Sequence, residues 1–215
     1  MFYVWCQWHS VRQKVRAMML IMTHRTSLTL LAAFLTLSAC GSTTSKTAVV
    51  CDQQFWNGTV AACLPKGWKV LSQEQLQVLG VPEETMAAFQ FETPHAGQLD
   101  TVAVTREPLS QNLDTAEYSQ SNILAVSALP EYTLIDKITV YIDAKETALH
   151  IFSARPSPDQ PIRRYYQLSA AVESTGYTFT GSFPLSIKES EAAEVQFILK
   201  NISFKDPVKA TTATK

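Results

Sequence analysis

Apolar and polar positions change their spacing several times along this chain, and each spacing predicts an element. The clearest stretch is residues 177–183. Tyr177, Phe179, Gly181 and Phe183 alternate with Thr178, Thr180 and Ser182, the period-two pattern of a strand with one buried face. Residues 132–142, 146–155 and 162–173 carry comparable β-rich runs, so four strands are expected in succession. Residues 187–200 then set Ala192, Val195, Ile198 and Leu199 on one helical stripe, which predicts a closing helix. Upstream, Asp114 with Glu117 has the spacing of a capping box for a helix running to about Ala128, where Pro130 stops it. Ser72 with Gln75 opens a shorter helix ending near Gly80, after a short strand at 69–71. Pro82-Glu83-Glu84 predicts a second helical start, with proline at the first helical position and acids in the first turn. Residues 87–93 and 99–106 read as strands around a Pro94-His95-Ala96-Gly97 turn. A run of strands framed by helices early and late predicts an α+β fold, an antiparallel sheet with helices packed on it.

Ahead of these elements, residues 51–63 read as a hairpin turning at Asn57-Gly58. A two-residue turn would send Cys51 and Cys63 to opposite faces. A three-residue loop of Trp56, Asn57 and Gly58 pairs Phe55 with Thr59 and sets the two cysteines opposite each other. Cross-strand Cα separations of about 4.5–5.5 Å suit a disulfide. Two free thiols or a metal pair are the alternatives. Zinc takes about four ligands, and beyond these cysteines the processed chain offers His95 and His150, in separate elements, so the disulfide is expected and no metal.

Residues 27–39 form an uncharged apolar run preceded by His24 and Arg25 and ending in Leu37-Ser38-Ala39 before Cys40. A basic start, a short apolar stretch and small residues at the cut are the parts of a secretory signal peptide. The run falls short of the roughly 20 apolar residues that a membrane-crossing helix needs. Leucine, two small residues and cysteine resemble a bacterial lipobox. The resemblance implies a diacylglyceryl group on the Cys40 sulfur, cleavage before Cys40 and a membrane-anchored protein. Met22 directly precedes this layout, so translation is expected to start there, or at Met18 or Met19, rather than at Met1. Residues 1–39 are then removed, residues 40–48 are a Gly/Ser/Thr-rich tether, 49–206 a single domain and 207–215 a disordered tail. In a Gram-negative cell, Gly41-Ser42 lacks the aspartate that retains lipoproteins at the inner membrane, which implies the outer membrane facing the periplasm.

Processing changes the charge. All nineteen acidic residues but only fourteen of the eighteen Lys and Arg lie from Cys40 onward, so the 176-residue product carries −5, against −1 for the whole chain. An acidic surface argues against nucleic acid and against a polybasic grip on anionic lipid. Seven glycines in 215 residues leave little room for a phosphate-cradling loop.

Several fragments together resemble the PsbP-like and DcrB-like domain family. They are Pro65-Lys66-Gly67-Trp68-Lys69-Val70; Glu107-Pro108-Leu109 with the following capped helix carrying Tyr118; the strand pair of 134–148; Arg164-Tyr165-Tyr166-Gln167 with Tyr177-Thr178-Phe179-Thr180-Gly181; and residues 198–204. The match covers about residues 64–205. It implies an α/β/α sandwich around an antiparallel sheet, and binding or assembly proteins rather than enzymes, with no shared catalytic residues and no cofactor.

No nucleophile motif stands in the chain; Gly181-Ser182 runs into Phe183-Pro184 as a strand end. His150 sits mid-strand and His95 in a loop. Arg163-Arg164-Tyr165-Tyr166 is the one local cluster, and alternation puts Arg164 on the side of Tyr166, Leu168 and Ala170. A strand-end arginine paired with a carboxylate is the first reading of this cluster; Arg163, Arg164, Tyr166 and His95 are the candidate contacts should there be a ligand or partner site. The sequence thus predicts a lipid-anchored, non-catalytic envelope module with a protein partner. The alternative is an envelope enzyme or small-ligand carrier with a site near His95, His150 or Arg163 and Arg164.

Overall fold

In the computed structural model, residues 48–79, 81–94 and 99–207 are described. All fall in one compact unit, Lys46–Lys215. Residues 1–47, with Cys40 and most of the tether, lie outside the described residues, as do His95 and the tail from residue 208.

Seven strands form one antiparallel sheet: β3 (Trp68–Val70), β4 (Thr85–Phe91), β5 (Thr101–Pro108), β6 (Thr133–Ile142), β7 (Lys145–Ala154), β8 (Arg163–Val172) and β9 (Thr175–Pro184). Their spatial order is β3-β4-β5-β9-β8-β7-β6. The last four are the successive strands expected from the pattern, joined as β6–β7 and β8–β9 hairpins. β1 (Gln53–Trp56) and β2 (Ala61–Leu64) pair separately. Three helices complete the unit: α1 (Gln73–Val78), α2 (Thr115–Ser127) and α3 (Glu189–Lys200). The capping boxes of Ser72 with Gln75 and of Asp114 with Glu117 are both formed.

Register assigns every side chain to a face. On the lower face, Tyr166 pairs with Gly181, Leu168 with Phe179 and Ala170 with Tyr177. Val102 and Val104 lie beside Gly181 and Phe179, and Ile151 beside Tyr166. These residues form the main core with Val195, Ile198 and Leu199 of α3 and with Val60, Ala62 and Leu64 of the small hairpin. Gly181 lets the helix approach, because a Cβ there would stand 3.2 Å from Val195 Cγ1 and closer still, at 2.6 Å, to the Phe183 ring. Trp68 locks the same layer by donating from Nε1 to Glu194 Oε2 at 2.9 Å. On the upper face, α2 lies over β7 and β8, while Leu76 of α1 packs on Leu71 and Ala88. Helices on both faces of an antiparallel sheet make the α+β, α/β/α architecture expected from the sequence.

Two expectations are corrected. Pro82-Glu83-Glu84 starts no helix. The Thr85 amide bonds to the Pro82 carbonyl at 2.9 Å, and the chain enters β4 directly. Proline followed by acids suits a turn as well as a helix start, and the β-prone run after it is drawn into pairing with β5. The hairpin register also differs. Phe55 pairs with Ala62 and Trp56 with Ala61, so the loop is Asn57 to Val60 rather than three residues. The Asn57 side chain accepts from the amides of Thr59 (3.0 Å) and Val60 (2.8 Å), closing the wider loop. Cys63 therefore pairs with Gln54, not with Cys51. The Cys51–Cys63 disulfide nevertheless forms, across a Cα separation of 5.5 Å, from just beyond the start of β1.

Candidate functional site

The two sheet faces differ in chemistry. The lower face is apolar. The upper face carries hydroxyls and amides, including Thr101 and Thr105 on β5, Thr178, Thr180 and Ser182 on β9, Gln167 and Ser169 on β8, His150 on β7 and Gln90 on β4. Thr101 pairs with Ser182, Ala103 with Thr180 and Thr105 with Thr178. These six residues are half-buried, and α2 reaches β5 and β9 through Tyr118, at Glu107 and Thr178. Neighbouring strands stand about 4.8 Å apart, and α1 and α2 lie over strands nearly four spacings apart.

Buried polar groups lie on the α2 side of this face. His150 is 1 % exposed and makes a 2.9 Å hydrogen bond between Nε2 and the Tyr132 hydroxyl, while its Nδ1 has no partner. The imidazole stacks on Phe152, centroids 4.7 Å apart, and Phe152 in turn stacks on Tyr165 at 5.1 Å. Burial, aided by the nearby Lys137 charge, holds the His150 pKa below its ordinary value. Its cross-strand partner Gln167 is 8 % exposed with an unpartnered Oε1. The Thr178 end is tied to α2. The Tyr118 hydroxyl donates to Glu107 Oε1 at 2.7 Å and lies 3.2 Å from Thr178 Oγ1. Burial above all raises the pKa of Tyr118. At the opposite end Arg163 Nε donates to Ser182 Oγ at 2.8 Å, and Arg163 Nη2 to the Ser182 carbonyl at 3.1 Å. Burial also raises the Tyr165 pKa, partly offset by its bond to Ser182.

The expected contact residues do not converge. Arg163 lies on the upper face. Arg164 lies on the lower face opposite Phe183, with Tyr166 on its side as alternation required, and Tyr166 is packed in the core. The arginine pair is therefore split by the sheet. His150 is buried beneath α2, and His95 is outside the described residues. Thr101, Thr105 and Gln167 were missed as a group, because only strand order brings β5 beside β9. Among the described residues no group of three or more His, Cys, Asp or Glu side chains could hold a metal, and no helix is long and apolar enough to cross a membrane. An open depression of about 400 Å³ runs along α3 past Val49, Ala192, Gln196 and Phe197.

No family model matches the chain, and no curated protein matches it. Solved structures do. LpqN of Mycobacterium tuberculosis, described as involved in cell envelope biogenesis, is similar at 11% identity and a TM-score of 0.54, over 68% of this chain and 83% of that one. The cyanobacterial PsbP of Synechocystis sp. PCC 6803 is similar at 12% identity and a TM-score of 0.48, over 79% of this chain and 99% of that one. The fold is shared with LpqN.

Proposed function

We propose that this protein is a lipid-anchored, non-catalytic binding module of the bacterial cell envelope. The observation that carries the reading is the run from the apolar residues 27–39 into Leu37-Ser38-Ala39-Cys40, set just upstream of a folded unit that begins within about ten residues. Its support from the fold is the likeness to LpqN, itself a protein of envelope biogenesis. The disulfide fits secretion, since oxidising compartments keep such bonds. Two or three acyl chains on Cys40 hold the acidic domain to a bilayer that its own charge would not favour, each buried CH₂ contributing about 0.8 kcal/mol. The domain then acts by docking an envelope protein. The split of Arg163 from Arg164 across the sheet, and the packing of His150 beneath α2, weigh against an enzyme centred on those residues.

Metabolic labelling with a palmitate analogue tests the anchor. The wild type should take up label, lose residues 1–39 and partition with membranes. Cys40→Ala should remain unlabelled and uncleaved; normal processing and membrane retention of that variant would refute the reading. Crosslinking in cells with several chemistries should recover one reproducible protein partner, and repeated failure would count against docking.

A further inference from the structure

We infer that the outer edge of β6 pairs with the same edge of a second copy of this chain, joining two seven-stranded sheets across a two-fold axis at Thr139. The inference goes beyond the docking reading and does not need the lipid anchor.

β6 ends the order β3-β4-β5-β9-β8-β7-β6, and no described strand lies beyond it. Its composition does not suit an open edge. Six of its ten residues are apolar, yet only Ile142 is buried, and Leu134, Ile135 and Tyr141 are exposed. Long apolar edges invite pairing with another chain, and native proteins blunt them unless they are used. α2 reaches the strand through Gln120, which accepts from Lys137 Nζ at 3.3 Å, and leaves Thr139 and Tyr141 exposed.

The turn fixes the backbone directions. Asp143 and Ala144, both at positive φ, form a two-residue loop between the paired Ile142 and Lys145. Residues flanking such a loop exchange hydrogen bonds, and the pattern alternates along the ladder. Ile142, Val140, Ile138 and Asp136 therefore bond to β7, while Tyr141, Thr139 and Lys137 turn their amides and carbonyls outward. The Lys137 amide agrees, since it donates to the side chain of its neighbour Asp136, at 2.8 Å from Oδ1.

Two limits choose the register. A bulge between Leu134 and Asp136 ends regular pairing on one side, and the turn ends it on the other. The regular segment is residues 136–142, with Thr139 at its middle, so an axis there uses the whole segment. An axis at Ile138 would keep only 136–140, and one at Val140 only 138–142. A segment whose midpoint is also its two-fold match suits itself rather than a foreign strand. The side chains agree. Opposite residues share a face, so on the upper face Thr139 meets its own copy and Lys137 meets Tyr141 of the second copy, a cation beside a ring. On the lower face Ile138 meets Val140 of the second copy. Both are partly buried against the main core, and the pairing completes their burial. An axis at Asp136 or Lys137 would instead set like charges face to face. The opposite edge strand, β3, has three residues, so the pairing closes as a dimer and does not propagate as a filament.

Sedimentation equilibrium of the purified full chain in a density-matched detergent should give a dimer that dissociates on dilution. Thr139→Lys and Thr139→Glu each place like charges across the axis and should each raise the dimer Kd about tenfold. An equimolar mixture of the two should recover the wild-type Kd, which misfolded chains would not do. In cells, the Thr139→Cys chain should form an oxidant-induced disulfide dimer, because hydrogen-bonded cross-strand Cα atoms stand about 5.5 Å apart. Val78→Cys, exposed on α1 at the far end of the sheet, should not. A monomeric wild type, charged variants that dimerise as the wild type does, no recovery in the mixture, or equal crosslinking through positions 78 and 139 would each overturn the inference. Crosslinks from the Thr139→Cys chain to another protein alone would overturn it as well and assign the edge to a foreign strand.

Discussion

Replacing Gly176 with Ala tests the contact that fixes α2 to the sheet. Gly176 has no positive φ that would itself bar a side chain. Its constraint is space: a Cβ there would fall against Tyr118 Cζ, 2.6 Å from the hydroxyl oxygen and 2.7 Å from Cε2. Carbon pairs prefer about 3.5–4.0 Å, so the ring must move by about an ångström. The movement strains the Tyr118 bonds to Glu107 and Thr178. Overpacking costs about 1–3 kcal/mol. A hydrogen bond to a charged acceptor contributes about 1.5–3 kcal/mol, of which part is lost. Alanine recovers about 0.4–1 kcal/mol by restricting the unfolded chain. The net expectation is destabilisation by about 2–4 kcal/mol, or a Tm drop of about 5–15 °C for a domain of this size. Urea denaturation of the single variant and of Gly176→Ala in a Tyr118→Leu background measures it. In that background the alanine should cost under about 0.5 kcal/mol, because the clash is gone. An equal cost in both backgrounds, or a single variant within about 0.5 kcal/mol of wild type, would refute the steric account.

Three further outcomes follow from the same geometry. The Cys51–Cys63 bond closes a short ring with a sequence separation of 12, so the Cys51→Ser/Cys63→Ser variant should lose about 3 kcal/mol by the chain-entropy relation; an unfolding midpoint equal to that of the oxidised protein would contradict this. His150, with its pKa lowered chiefly by burial, binds fewer protons folded than unfolded. Its contribution is intact above the unfolded pKa of about 6.5 and is lost as pH falls from there toward the folded pKa. Urea midpoints should therefore drop on acidification through that window, and His150→Gln should flatten this part of the profile; an unchanged slope would exclude His150 as its source. Ala144 holds φ +70° in the β6–β7 turn, so Ala144→Gly should raise stability by about 0.5–1 kcal/mol, read as a higher melting temperature.

Local patterns made most of the scaffold legible. The alternation in residues 177–183 identified which side of β9 is buried, and both capping boxes marked true helix starts. The same alternation put Arg164 with Tyr166. What it could not supply was long-range placement. Asn57-Gly58 signalled a turn, but the loop length was decided by the Asn57 side chain closing on two amides and by the burial of Val60. The disulfide was therefore expected by a pairing that does not occur, although the bond itself forms. Pro82-Glu83-Glu84 carried a helix signal that pairing with β5 overrides. The hydroxyl-bearing upper face of β5 and β9 was invisible for a related reason. Thr178 and Thr180 look like an ordinary solvent side until strand order places Thr101 and Thr105 beside them.

The contrast between the two faces bears on why the upper one is polar at all. The lower face holds the large buried aromatics and aliphatics, including Phe89, Phe179, Phe183, Leu168 and Ile198. Stability resides there. On the upper face, Gln167 Oε1 and His150 Nδ1 are buried without partners, as Arg164 Nε is on the lower one, each at a cost of about 1–3 kcal/mol. Apolar residues of similar size would remove that cost. Groups that weaken a fold and serve no packing need are characteristic of sites shaped for something other than stability. Gln167→Met, nearly equal in volume, should therefore leave melting unchanged or raise it by a few degrees, the equivalent of about 1 kcal/mol. Were the variant instead destabilised by several kcal/mol, Gln167 would be a structural residue, and the upper face would be polar for the sake of the fold.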